Sequence, residues 1–282
     1  GTAECSFVVS TALSGPAGTF VRGMGTSFTH DRFSTAPPHA LHVSVLQGPA
    51  FAGWCAHELK TGAVLALHAA HNAVLPAVDL LPRDPGSATC VVLPEWSVLV
   101  PDGALQEGSE AVHLRATFGR DPVGVIRRDP VELLDAHSIH VHEPSAESIA
   151  MVHVPLARPL AMQALLIQAA MSRRADRNVV LLHFGTDRMD AVLATPANIV
   201  LSNTFPIRTP EDALYFALLA VERTKHQPGD LQLLYCGPQA NDNMIALLEK
   251  YFADSAPALP RTALDVERPE RWLALTEQFA CV

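Results

Sequence analysis

The chain has 282 residues, 49% of them hydrophobic and 17% charged, and its 20 Lys and Arg against 29 Asp and Glu give a formal net charge of −9. This is long enough to bury a core in one large domain or two of ordinary size. The acidic balance, with no basic stripe interleaved with aromatics, argues against nucleic-acid binding.

Residues 1–40 read as an N-terminal extension, rich in Gly, Ser, Thr and Pro, with one short strand at Ser6–Thr11. Gly1 in place of methionine suggests removal of a tag, so that a native leader could be missing. The opening residues lack the basic and apolar regions of a secretory signal. No apolar run reaches the roughly 18 residues needed to span a bilayer. Five scattered cysteines (Cys5, Cys55, Cys90, Cys236, Cys281) without C-x-x-C spacing argue against a disulfide framework or zinc site and for a reducing compartment. The expected location is the cytoplasm.

Three strand patterns follow, Leu41–Leu46, Phe51–His57 and Ala63–His68, joined by turns at Gln47-Gly48-Pro49 and Lys60-Thr61-Gly62. A helix is expected at His71–Leu81, strands at Thr89–Leu93 and Trp96–Val100, and a helix start at Pro101-Asp102. Val123–Ile126 and Ser138–His142 read as strands flanking a turn at Asp129-Pro130, and Met151–Val154 as a further strand. Leu160–Ser172 consists of strong helix formers, nearly all apolar, and should be a buried helix.

The first pattern then returns. Asn178–Phe184, Met189–Ala194 and Ile199–Asn203 are strands joined by turns at Gly185-Thr186-Asp187 and Thr195–Asn198. Thr209-Pro210-Glu211-Asp212 is a helix start, with Thr as N-cap, Pro at the first helical position and two carboxylates in the first turn. That helix should run to about Lys225. Leu231–Tyr235 is a buried strand ending at Cys236-Gly237-Pro238, and Asn241 caps a last helix to about Phe252. Strands joined by short turns pair antiparallel, whereas one reached through a helix joins in parallel by a right-handed crossover. The plan is therefore a duplicated α/β unit, two halves facing across a cleft.

The resemblance rests on Asn203-Thr204-Phe205-Pro206-Ile207 after the third strand of the second half, Thr209–Phe216 opening its helix, and Leu231–Gly237. Val98–Leu105 and the Leu41–His68 meander add to it. In these segments, over roughly residues 40 to 255, the chain resembles an uncharacterised bacterial domain-of-unknown-function family. That family is assigned an actin-like ATPase fold, within the sugar kinase, heat-shock protein 70 and actin superfamily. The resemblance implies duplicated ribonuclease H-like halves with a central cleft: residues 41–175 as the first half with a small inserted subdomain, and residues 176–282 as the second. It also implies kinship with pilus-assembly and cell-division proteins that act as cytoplasmic adaptors through protein partners.

In that superfamily ATP with Mg²⁺ lies between two glycine-containing turns, each led by an aspartate. Phosphoryl transfer needs its charge neutralised and its water oriented. The candidate cleft residues here are Gly48, His183, Gly185, Thr186, Asp187 and Gly237. Ser44 or Leu46 stands at the first aspartate's place and His183 at the second's, and Pro238 follows Gly237 where a second glycine would donate an N–H. Hard Mg²⁺ prefers carboxylate and water oxygens. Asp187 or Asp190 would have to compensate. The plainer reading of His183–Thr186 is a hairpin turn inherited with the fold. No catalytic residue and no cofactor is assigned; an eroded site of this kind would take ATP with Mg²⁺, if anything.

Other constellations have plain readings. His140 and His142 share one strand face and with His137 could chelate a transition metal, but a solvated strand face is the simpler expectation, and no metal is assigned. Cys236, at a strand end, could be a nucleophile but reads as core filler. Glu211 and Asp212 are explained by helix capping.

Overall fold

The computed structural model describes residues 25–145 and 152–281. The Leu41–His68 meander forms as β2 (Leu41–Gly48), β3 (Phe51–Glu58) and β4 (Val64–Ala70). β5 (Ser87–Val92) pairs parallel with β2, and β9 (Arg158–Ala161) pairs parallel with β5. One strand inside the expected extension, β1 (Gly25–Thr29), adds antiparallel to β4. The order of this first sheet is β1-β4-β3-β2-β5-β9.

The second sheet repeats the plan. β10 (Asn178–Gly185), β11 (Arg188–Ala194) and β12 (Ile199–Pro206) form a meander, β13 (Leu231–Cys236) pairs parallel with β10, and β14 (Ser255–Pro257) with β13. Its order, β12-β11-β10-β13-β14, matches β4-β3-β2-β5-β9 strand for strand. A third sheet, β6 (Trp96–Pro101), β8 (Ala136–His142) and β7 (Val125–Val131), is inserted between β5 and β9. It carries α1 (Glu110–Phe118), anchored by Leu114 on the face of Ile139 and Val141.

Alternation decides what each face meets. Val179 and Leu181 of β10 face α2 (Met162–Arg173), while Val180, Leu182 and Phe184 face α3 (Pro210–Arg223) and α4 (Asp242–Glu249). α2 is buried almost all round, between the second sheet and the rest of the body, as its apolar sequence requires. α3 begins as expected: Thr209 Oγ1 accepts from Asp212 N, and the Asp212 carboxylate accepts from Thr209 N at 3.0 Å. The last described residues return to the first sheet. Trp272, Leu273 and Leu275, the latter two in α5 (Leu273–Thr276), are buried in the core shared with α2, and Gln278 bonds to Thr89 and Val45.

Several expectations are corrected. The helix at His71–Leu81 is a loop with one 3₁₀ turn at Val78–Leu80; Pro76 cannot donate, Ala77 is left-handed at φ 48°, and Trp54 Nε1 takes the Pro76 carbonyl. Pro101-Asp102 opens only a 3₁₀ turn, and α1 starts at Glu110. Asp129-Pro130 lies within β7, paired to Ser138 and His137, and the reversal comes at Glu132–Asp135. Leu160 and Ala161 end β9 before α2 begins. Val152 and His153 are helical rather than extended. Met151 and the Ser6–Thr11 strand lie outside the described residues. Among the described residues no helix is long and apolar enough to cross a membrane.

Candidate functional site

The β2–β3 turn and the β10–β11 turn border one cleft of about 310 Å³. Gly48 and Pro49 line it from the first, Thr186 and Arg188 from the second. Val91–Leu93 and Glu95 after β5, and Val141–Glu143 at the end of β8, complete the wall with Val123. Gly48 and Thr186 are thus brought together. His183 is not in the lining: it is fully buried in β10. Asp187, left-handed at φ 51° and exposed, sits at the hairpin tip away from the cleft. Ser44 and Leu46 are fully buried in β2. The positions leading the two turns therefore supply no carboxylate to the cleft.

Each of the three glycines has a packing reason. A side chain at Gly48 would run into the ring of Phe51, its partner across the hairpin. At Gly185 a Cβ would lie 3.1 Å from Arg188 Cγ, a flexible neighbour. Gly237 has φ +106°, and a Cβ there would lie 2.5 Å from the Phe184 carbonyl oxygen, because the end of β13 presses against β10.

The polar chemistry near the cleft centres on Asp190. The two-residue turn Thr186-Asp187 sets the register, which puts Asp190 opposite His183 and Thr204 opposite Asp190. Arg188 donates to Asp190 from Nε at 3.1 Å and again from Nη2. Thr204 Oγ1 donates at 2.6 Å, and Gln163 Nε2 of α2 at 3.3 Å. Burial by itself would raise the Asp190 carboxyl, but the Arg188 guanidinium and the hydrogen bonds hold it well below the usual carboxylate range. His183 Nδ1 lies 3.6 Å from Asp190 Oδ2, beyond good hydrogen-bond reach. Arg188 also donates from Nη1 to the carbonyl of Pro94 at 3.1 Å, tying the second-sheet hairpin to the β5–β6 connection. Its charge is already neutralised by Asp190.

Two exposed carboxylates, Glu95 and Glu143, do line the cleft. They flank β6 and β8, whose pairing of Trp96 with Val141 sets both at the same end of the third sheet. Sequence reasoning overlooked them because they lie outside both turns. Asp190 was recoverable: a two-residue turn fixes the ladder from Gly185–Arg188 back to His183–Asp190.

Cys236 is His183's neighbour on β13. Cys236, His183 and Asp190 thus form a row, but the thiol is fully buried, donates to the Leu182 carbonyl at 3.6 Å, and is pushed up by burial. It is core, not nucleophile. The solvated histidine face is overturned: His140 and His142 are buried, their rings stacked 5.4 Å apart, with His140 Nδ1 3.8 Å from Asp129. His137, on the opposite face of β8, bonds to Asp102 at 2.9 Å. Among the described residues no group of His, Cys, Asp and Glu is arranged to hold a metal ion.

A family model described as "Protein of unknown function (DUF3822)" matches residues 87–254. No curated protein sequence matches the chain. Among solved structures, a Bacteroides thetaiotaomicron protein with an actin-like ATPase fold and unknown function aligns with a TM-score of 0.69 at 12% identity, covering 89% of this chain and 98% of that one. A PilM–PilN type IV pilus biogenesis complex aligns at 0.52 and 13% identity, covering 87% and 99%. At such identities the likeness is one of fold.

Proposed function

The chain belongs to the DUF3822 family of proteins of unknown function and has an actin-like ATPase fold, and from that premise we propose that it is a non-catalytic cytoplasmic scaffold or adaptor with a degenerate nucleotide site. The supporting observation is the hairpin at the second turn. Where an ATPase of this fold leads with an aspartate, His183 is buried, and the nearest carboxylate, Asp190, is consumed by Arg188, Thr204 and Gln163. Among the described residues, the second turn offers Mg²⁺ no carboxylate, and the Arg188 beside it already pairs with Asp190. Two of the glycines that would let phosphate approach, Gly48 and Gly237, are accounted for by Phe51 and Phe184. In this reading residues 1–40 are an extension, 41–175 the first half with its inserted subdomain, and 176–282 the second. PilM, similar in fold, occurs in a complex with PilN; by that analogy this chain acts through protein contacts, and its net charge of −9 disfavours nucleic acid as a partner.

Isothermal calorimetry with Mg-ATP tests the proposal. No saturable heat up to millimolar nucleotide is expected, and submillimolar binding would overturn it. The second reading, a nucleotide-binding ATPase or kinase-like enzyme, draws on Glu95 and Glu143 in the cleft wall and on Thr186 Oγ1, buried without a hydrogen-bond partner. It requires Mg-ATP binding that is lost in the Glu95→Gln/Glu143→Gln double variant.

A further inference from the structure

The two halves cover corresponding faces of their sheets unequally. In the second half the connection from β12 to β13 is built round α3, a 14-residue helix whose inner side joins one core cluster with Val180, Leu182 and Phe184. Val43 and Val45 stand as far before Gly48 as Val180 and Leu182 before Gly185, so they mark the same face of the first sheet. There the connection from β4 to β5 holds only the 3₁₀ turn Val78–Leu80. That loop buries Leu75 and Leu81 in one cluster with Val43, Val45 and Trp54, and turns Val74 outward with 73% exposure and Leu80 with 46%. The segment leading into β9 does likewise: Val154 and Ala157 join the cluster, while Val152 and Leu156 face solvent. Residues 71–81 carry one carboxylate, Asp79, and no Lys or Arg. An exposed aliphatic cluster of this kind marks a docking surface.

The path of the chain names the occupant. Gly25, the first residue of β1, pairs with Ala70, the last of β4. Residues 1–24, which lie outside the described residues, therefore enter beside residue 71, where the thin loop begins. They are rich in small and apolar types and carry two charges, Glu4 and Arg22. Val21 and Phe20 precede Gly25 by four and five residues, the same count by which Val74 and Leu75 follow Ala70. Past the other end of β1 the chain already lies on this face, for the Phe33 ring sits 6.1 Å from that of Trp54.

We propose that residues 1–24 of this chain dock on this surface, with Phe20 and Val21 packed on Val74, Val78 and Leu80 and Arg22 set beside Asp79. The N-terminal extension then does for the first half what α3 does for the second. This is independent of whether the cleft binds nucleotide.

Hydrogen exchange in the intact 282-residue chain tests this. Phe20→Asp/Val21→Asp should speed exchange across residues 72–81 about tenfold or more and leave β2 and β3 protected, since the core beneath is untouched. Val74→Asp, at an exposed site, should do the same, and combining the two should add nothing further, because both remove one contact. Should the aspartates loosen β2 and β3 as well, Phe20→Ser/Val21→Ser carries the test with the same expectation. Unchanged exchange at residues 72–81 in the Phe20/Val21 variant, or fully additive effects, overturns the proposal. Light scattering reads the other occupant: a dimer dissociated by Val74→Asp but not by Phe20→Asp/Val21→Asp assigns the surface to a second copy and overturns it too.

Discussion

Asp190 stands directly across the β10–β11 ladder from His183, and its charge is matched by Arg188, two residues before it on the same strand. The pair is nearly sealed from solvent and joined to α2 through Gln163 and to the first half through Pro94. It works as a structural clamp between the two halves.

Removing one partner of this clamp leaves a buried charge. Asp190→Ala should destabilise the fold by about 3–5 kcal/mol, whereas Arg188→Met with Asp190→Leu should recover much of that loss. Urea unfolding of the three variants checks it; equal stability of Asp190→Ala and the parent would remove the clamp from the account.

Gly48→Ala and Gly237→Ala should each lower stability by about 1–3 kcal/mol in nucleotide-free protein, because one displaces the Phe51 ring and the other strains a positive φ against Phe184. Gly185→Ala should cost less, since Arg188 Cγ can shift. Thermal midpoints of the three variants measured without ligand give the ranking directly.

Asp129 on β7 accepts the N–H of Ala161 at 2.7 Å, capping the start of α2 from another sheet. Asp129→Ala should cost about 1–2 kcal/mol, and Asp129→Asn less, since an amide oxygen still accepts the bond. The contrast is read by chemical denaturation and by hydrogen exchange at the first turn of α2.

The inner face of the first sheet is sensitive to acid. Burial lowers His42 to about 3, helped by the neighbouring His57 and Arg158, and lowers His57 to about 4. Phe279 stacks on His57 at 5.0 Å. Unfolded histidine takes its proton near pH 6.5, so below that point the unfolded chain binds protons that the folded one refuses. Stability from these groups is complete above about pH 6.5 and falls by about 1.4 kcal/mol per pH unit for each histidine down to its folded value. Urea midpoints between pH 7.5 and 4.5 should show this slope, and it should be reduced in His57→Asn.

The meander of β10–β12, the parallel return of β13 and the cap at Thr209 were legible because alternation, turn residues and capping are local signals. The loop at 71–81 misled because its apolar residues imitate helical spacing while Pro76 and a left-handed Ala77 break it. Asp129-Pro130 misled because a turn-forming pair was held in a strand by a distant helix N-terminus.

The duplicated order of elements, and the lack of an aspartate leading either turn, are written in contiguous residues and were legible without the fold. Folding is what buries His140 and His142, spends Arg188 on Asp190, sets Glu95 and Glu143 in one cleft with Gly48 and Thr186, and closes the last described turns over the first sheet. Each of these is a meeting of segments far apart in sequence, fixed by sheet register and by which face the core covers. No local pattern encodes them.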